Sequence, residues 1–426
     1  LAYPADRAPL APEGLARMTT GGRAARALLA ATALLAVYLP SSTGGVISAR
    51  LGGAGLSLTT VLLAGLLVRQ HGVGQPVQAV LAGTTVASLV LATLFGPFDV
   101  ISPGLIPIFG SIAVLVALDL RDLALVGVAR GALLLVLGVS LVFGTGLALD
   151  MAWADRLAVG WYNAFYVDLL PNMVIRFDKP VLTFATHSLA AFVMYLFVYL
   201  CYTAWRVRQS LLAAMGTLWF LFLLWRLSST TSLVLTGVAL LQILALLLRR
   251  HRWLVPVLTV VLIGTTICGL LLSGLSAPQM LEIVRDAILG NRANGLISRY
   301  ASGGLLAGNF RYLSEHPLQP IGLGFSPTLY LGDSGVVLLL MRGSVPLMLA
   351  VYGGLFAFLH YNLRSRAVAT WIFIVTVAFE VGFTPLQYYR FVGLLPLLVV
   401  GFNAALTPAR PAAGRERYTW TLPARS

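Results

Sequence analysis

The stretch TSLVLTGVALLQILALLLRRHR, residues 231–252, carries two readings at once. Its first eighteen residues hold no charged side chain, and as an α-helix they would reach about 27 Å, close to the hydrocarbon thickness of a bilayer. The run then stops on Arg249, Arg250, His251 and Arg252, a basic flank of the kind that stays on the cytoplasmic side of a membrane. The rest of the chain is composed alike. Of 426 residues, 58% are hydrophobic and only 10% are charged, against about 25% in a soluble globular protein; mean hydropathy is +0.88. So little polar side chain cannot cover a water-facing surface, which excludes a soluble enzyme and predicts an all-α polytopic membrane protein.

Apolar runs of spanning length recur at 24–40, 53–68, 76–98, 101–118 and 123–147, then at 182–204, 209–227, 231–248 and 253–274, and finally at 334–361, 367–385 and 389–406. The reading is therefore about twelve transmembrane helices. Five of them fill 24–147, four fill 182–274 and three fill 334–406. Between these groups lie two long loops, 148–181 and 275–333, and the tails are 1–23 and 407–426. Residues 1–17 read as a leader of uncertain start or a short disordered tail rather than a cleaved signal peptide, because a full-length span follows with no small-residue cleavage site after it.

The formal charge of +14 raises nucleic acid as a partner until its distribution is examined. With both termini cytoplasmic, the inner segments collect seventeen Arg against Asp6, Glu13, Asp119, Asp122 and Glu416, a net +12 of the whole. That is the positive-inside pattern, and it removes the support for nucleic acid. Both long loops then face the other side, where an aqueous reaction would take place. The only cysteines, Cys201 and Cys268, sit in apolar stretches and suggest neither a disulfide framework nor a metal site. No His/Cys/carboxylate spacing suits zinc, no Gly-rich loop suits a nucleotide, and no aspartate pair suits a sugar-nucleotide enzyme, so no cofactor and no metal is expected.

In the larger loop, PQMLEIVRDAIL (278–289) places Met280, Ile283, Val284, Ala287 and Ile288 on one helix face, as in a helix lying on a membrane surface. Beyond it Arg292, Arg299 and Arg311 alternate with Tyr300, Phe310 and Tyr312. The guanidinium fork matches phosphate oxygens, so these Arg are candidates for binding a lipid-linked diphosphate. A chain whose basic residues are 28 Arg and one Lys, Lys179, also carries an Arg bias that nucleotide composition alone would produce. Charges at the ends of spans are more informative, since hydrocarbon penalises them. Those toward the outer ends are His187, Arg226, Arg342, Glu380 and Arg390. Glu380, within VAFEVGF, calls for a partner such as Arg342 or Arg390, and reads equally as an ion pair tying two helices or as a catalytic group. His187 reads as a packing histidine, and Arg130 as a side chain snorkelling to the inner surface.

Three blocks close the large loop: ISRYASGG (297–304), NFRYLSEHPLQPIGLGF (309–325) and GDSGVVLLLMRGSVPLMLAVYG (332–353). Pro317, Pro320, Gly322 and Gly324 predict a tight extended turn in which the glycines would admit close approach of backbone to a ligand. This order resembles the O-antigen polymerase and ligase superfamily (Wzy and WaaL), as do twelve spans, cytoplasmic termini and a largest outer loop between spans nine and ten. FATHSLAAFVMYL (184–196) is similar to that family's span after its first long loop. RLSSTTSLVL (226–235) is similar to a segment that carries Ser-x-Ser-Arg in many members; Thr231 stands here in the Arg position and Arg226 lies upstream. Asp333 followed by Ser334 resembles polymerases rather than ligases, which usually place a His there, while His316 keeps the ligase alternative open.

The resemblance implies a glycosyltransferase of the bacterial inner membrane. Its donor and acceptor would be undecaprenyl-diphosphate-linked oligosaccharides, its products O-antigen, capsule or exopolysaccharide, and its further partners membrane lipids and a chain-length regulator. Asp333, His316 and Glu380 are the candidate bases; Arg299, Arg226, Arg342, Arg390, Arg311 and Arg292, with Gly322 and Gly324, are the candidate substrate-binding residues. A transporter or flippase ranks third, because the placed charges lie toward the outer face rather than the midplane.

Overall fold

The computed structural model describes residues 20–38, 58–60, 62–63, 65–66, 75–95, 110–120, 128–165, 184, 186–250, 300, 304, 306–315 and 334–407. Among them the secondary structure is helical, with no strand. In chain order the helices are α1 (Thr20–Tyr38), α2 (Pro76–Phe95), α3 (Val128–Ala148), α4 (Ala152–Phe165), α5 (His187–Arg208), α6 (Leu211–Arg226), α7 (Thr230–Arg250), α8 (Ala307–Glu315), α9 (Gly335–Asn362), α10 (Arg366–Gly382) and α11 (Tyr389–Leu406). A 3₁₀ turn, Pro385–Gln387, joins the last two. Residues 53–57, 101–109, 251–299 and 316–333, which carry predicted spans, loop and motif, lie outside the described residues.

Local chemistry sets several of the helix ends. Thr186, Ser210, Ser334 and Ser365 have extended backbones, and their hydroxyls accept from the N–H three residues on, capping α5, α6, α9 and α10. α5 stops at Gln209, which takes a left-handed conformation (φ 54°) and donates its N–H to Trp205 O. Ser210 then starts α6 at once, so the two helices form a hairpin.

Ala129–Ala148, His187–Arg208, Thr231–Leu248 and Val345–Asn362 are long and apolar enough to cross a membrane. Ala24–Tyr38, Pro76–Leu91, Leu211–Arg226 and Arg390–Leu406 are shorter apolar helices. Their outward faces agree with this. On α6, Leu211, Leu212, Met215, Leu218, Trp219 and Trp225 are exposed, a patch that would drive association in water and that lipid would cover.

α5 is the central helix. It packs against α6, α7 and α11, and 78% of its apolar window is buried against 33% for α7. Phe192 near its start sits between Phe379 and Phe391, with ring centroids at 4.8 and 5.0 Å. α1 lies on α11 and α3, whereas α9 is flanked by α2 and α10. The polar contacts sort helix termini into two ends. Arg226 donates to Ala148 O, which joins the C-termini of α6 and α3, and the Phe192 cluster brings the C-terminus of α10 to the N-termini of α5 and α11. At the opposite end Arg208 donates to the carbonyls of Ala404 and Thr407, and Asn403 donates to Asn362 O. We refer to these as the Glu380 end and the Arg208 end.

Candidate functional site

α9 begins with Ser334 as its cap and Gly335 as its first residue. Glu380, two residues before the C-terminus of α10, is enclosed there with 1% of its surface exposed. Its Oε1 accepts the Leu386 N–H at 2.8 Å, and its Oε2 accepts from the Tyr352 hydroxyl at 3.4 Å. The first bond spans the α10–3₁₀ corner and fixes how the chain turns toward α11. A Cβ built on Gly335 would fall 1.5 Å from Oε2, so the carboxylate lies directly over a backbone that only glycine can offer. The N-terminal turn of α9 beneath it presents the positive end of a helix dipole.

Beside this carboxylate the Tyr300 hydroxyl stands 2.8 Å from Ser334 Oγ and also bonds Val381 O. Its ring packs on Leu306, Val337 and Met341, with Phe310 at a centroid distance of 5.7 Å. α8 is thereby held on the first turns of α9. Three pieces of chain distant in sequence therefore meet at the Glu380 end: Tyr300, Ser334 with Gly335 at the start of α9, and the end of α10 at Glu380 and Val381.

Of the predicted cations, Arg390 lies in the first turn of α11, three residues after the 3₁₀ turn, and is 1% exposed. Arg226, half-buried, directs Nε and Nη2 at Ala148 O at 3.1 and 2.8 Å; these two N–H groups satisfy the last carbonyl of α3. Arg311 is exposed on α8. Arg342 belongs to α9, two turns from Gly335. His187 is the first residue of α5, and Arg130 is exposed in the first turn of α3. Arg292, Arg299, His316, Gly322, Gly324 and Asp333 lie outside the described residues. Among the described residues no three His, Cys, Asp or Glu side chains converge as metal ligands would.

The sequence suggests Arg342 or Arg390 as the partner of Glu380; among the described residues its two hydrogen bonds come from neutral donors, a backbone amide and a phenol. Both oxygens are engaged and the group is almost fully enclosed. Tyr352 and Gly335 went unassigned in the sequence. A tyrosine is a polar group in the apolar run of α9, the signal by which it could have been found. Compared with family models, with curated proteins and with solved structures, the chain matches none.

Proposed function

We propose that the chain is a polytopic glycosyltransferase of about twelve spans that polymerises undecaprenyl-diphosphate-linked oligosaccharide repeat units on the periplasmic face of the bacterial inner membrane. The observation that supports this reading best is the meeting of the loop end at Tyr300, the α9 lead-in at Ser334 and the α10 terminus at Val381 through one hydroxyl. Those three segments hold the motif residues Arg299, Asp333 and Glu380. An apolar helical bundle with polar groups gathered at one end suits a substrate whose lipid lies in the bilayer and whose sugars lie in water.

In the proposed reaction, a sugar hydroxyl of one lipid-linked unit attacks the anomeric carbon of another. A carbon–oxygen bond forms, the bond to the diphosphate breaks, and the leaving diphosphate takes the electron pair. Asp333 or His316 accepts the hydroxyl proton, while Arg299 and neighbouring Arg neutralise the charge that gathers on the leaving oxygen. Arg390, enclosed at the same end, would add positive potential. Glu380 shapes the floor by holding the α10–α11 corner.

The test is extension of a purified lipid-diphosphate repeat unit by purified protein in liposomes. A ladder of lipid-linked products, lost in Arg299→Ala and Asp333→Asn, is the expected result. Transfer only when a lipid A core acceptor is supplied, abolished in His316→Ala, would identify a ligase instead. No product in either assay from folded protein would overturn both and favour a transporter.

A further inference from the structure

The geometry points to an anion site at the Arg208 end, where Arg208 and Arg364 together hold the phosphate of an anionic phospholipid headgroup. This site is independent of the glycosyltransferase reading. Thr407, just past the C-terminus of α11, gathers the two forks. Its carbonyl accepts from Arg208 Nε at 3.0 Å, and its hydroxyl accepts from Arg364 Nη1 at 2.8 Å while donating its own proton to Asn403 O at 2.9 Å. Arg208 also donates Nη2 to Ala404 O, and Asn403 Oδ1 accepts the Arg364 backbone N–H at 2.9 Å. Two guanidinium groups from different parts of the chain are thus held on one residue.

Capping α11 uses only part of each fork. A guanidinium carries more N–H donors than these bonds engage, and both side chains are exposed. Among the described residues neither is paired with a carboxylate. Asp119, the carboxylate described at this end, accepts from the Tyr361 hydroxyl at 2.9 Å. Arg206 in the last turn of α5 and Arg366 at the start of α10 add to the positive charge of the same end. Like charges held together without a counter-charge repel, and a phosphate relieves this well because its oxygens match the guanidinium fork.

The depth of the pair favours a lipid as the source of that phosphate. α5 has 22 residues and ends on Arg208, which makes it about 33 Å long against a hydrocarbon core of about 30 Å. Arg364 stands two residues beyond the Val345–Asn362 span. Both therefore fall at headgroup level, and Thr407 orders their forks before a lipid arrives, which lowers the entropy lost on binding.

The test is retention of phosphatidylglycerol by the purified full-length protein in phosphatidylcholine micelles, counted by native mass spectrometry. Arg364→Gln should weaken retention about fivefold and the Arg208→Gln, Arg364→Gln pair about thirtyfold, since each arginine at a membrane surface contributes about a factor of five. Arg364→Gln leaves both Arg208 bonds to α11 in place, so it reads the site even if the double variant folds poorly. Arg130→Gln removes an exposed cation at the terminus of α3 opposite Ala148 and should leave retention unchanged. A loss of the same size in Arg130→Gln would mean a diffuse surface charge and overturn the site, as would undiminished retention in Arg364→Gln. Displacement of phosphatidylglycerol by an equal concentration of inorganic phosphate would assign the forks to a free anion and overturn the lipid as their ligand.

Discussion

At the Arg208 end, polar side chains serve helix termini. Asn362 accepts the Leu120 N–H at 2.6 Å and donates to the carbonyls of Leu118 and Phe358, Asn403 joins Asn362 O to the Arg364 N–H, and Tyr361 donates to Asp119. At the Glu380 end two ionisable side chains are enclosed more completely: Glu380 and Arg390 are both 1% exposed, against 8% for Asp119 at the other end. Saturating orphan backbone groups is what any helical bundle requires. Enclosing a carboxylate and a guanidinium within an apolar bundle is costly. The difference teaches where polar groups complete the backbone and where they are enclosed at a cost that a substitution can expose.

The sharpest way to break the comparison is Gly335→Ala. The added methyl would overlap Glu380 Oε2 and stand 2.5 Å from its Cδ, and the carboxylate cannot swing away without releasing Leu386. Overpacking of this kind costs about 3 kcal/mol, read as a loss of folded yield and thermal midpoint. Glu380→Ala in the same chain should recover part of that loss. If Gly335→Ala is silent, the carboxylate does not rest where it is described, and the Glu380 end loses its special character.

Asn362→Ala should come next, at about 2 kcal/mol, because it strips three bonds and leaves the Leu120 amide and the Leu118 carbonyl short of partners. Product length in the extension assay should not change. A shift in product length without a stability loss would mean that the Arg208 end also shapes the reaction. Arg226→Ala sharpens the comparison from the other side. If Arg226 only satisfies Ala148 O, thermal stability falls by about 1 kcal/mol and extension proceeds; abolished extension in folded protein would give it the diphosphate-binding role expected from the sequence.

Composition and apolar run length made the helical, membrane-compatible character legible, since residues 231–248 and 187–204 contain no Asp, Glu, Lys or Arg. Glu380 stood out for the same reason, as a carboxylate inside such a run. Its partners did not. Leu386 reaches it through a corner and a 3₁₀ turn, and Tyr352 through the packing of α9 on α10, 28 positions away; neither depends on a local pattern. Arg226 poses the same problem across 78 positions, because its carbonyl belongs to α3. Tyr300 was visible only as one aromatic among several Arg, since a phenol's role depends on which carbonyl the fold brings to it.

The smallest expected effect tests the Arg208 end itself. Arg208 donates Nε to Thr407 O at 3.0 Å and Nη2 to Ala404 O, capping the last turn of α11 where the helix leaves carbonyls without internal partners. Both bonds are exposed, so water replaces them when the side chain is removed. Arg208→Ala should therefore cost only about 0.5 kcal/mol, seen as a slight drop in thermal midpoint, with extension unaltered. Arg364 contributes a parallel bond to Thr407 Oγ1 at 2.8 Å, and the Arg208→Ala, Arg364→Ala pair should lose little more than the two single losses added together. A loss several times larger would mean that this end is a cooperative clamp on α5, α9 and α11, and the contrast between a merely saturated end and a specialised one would have to be redrawn.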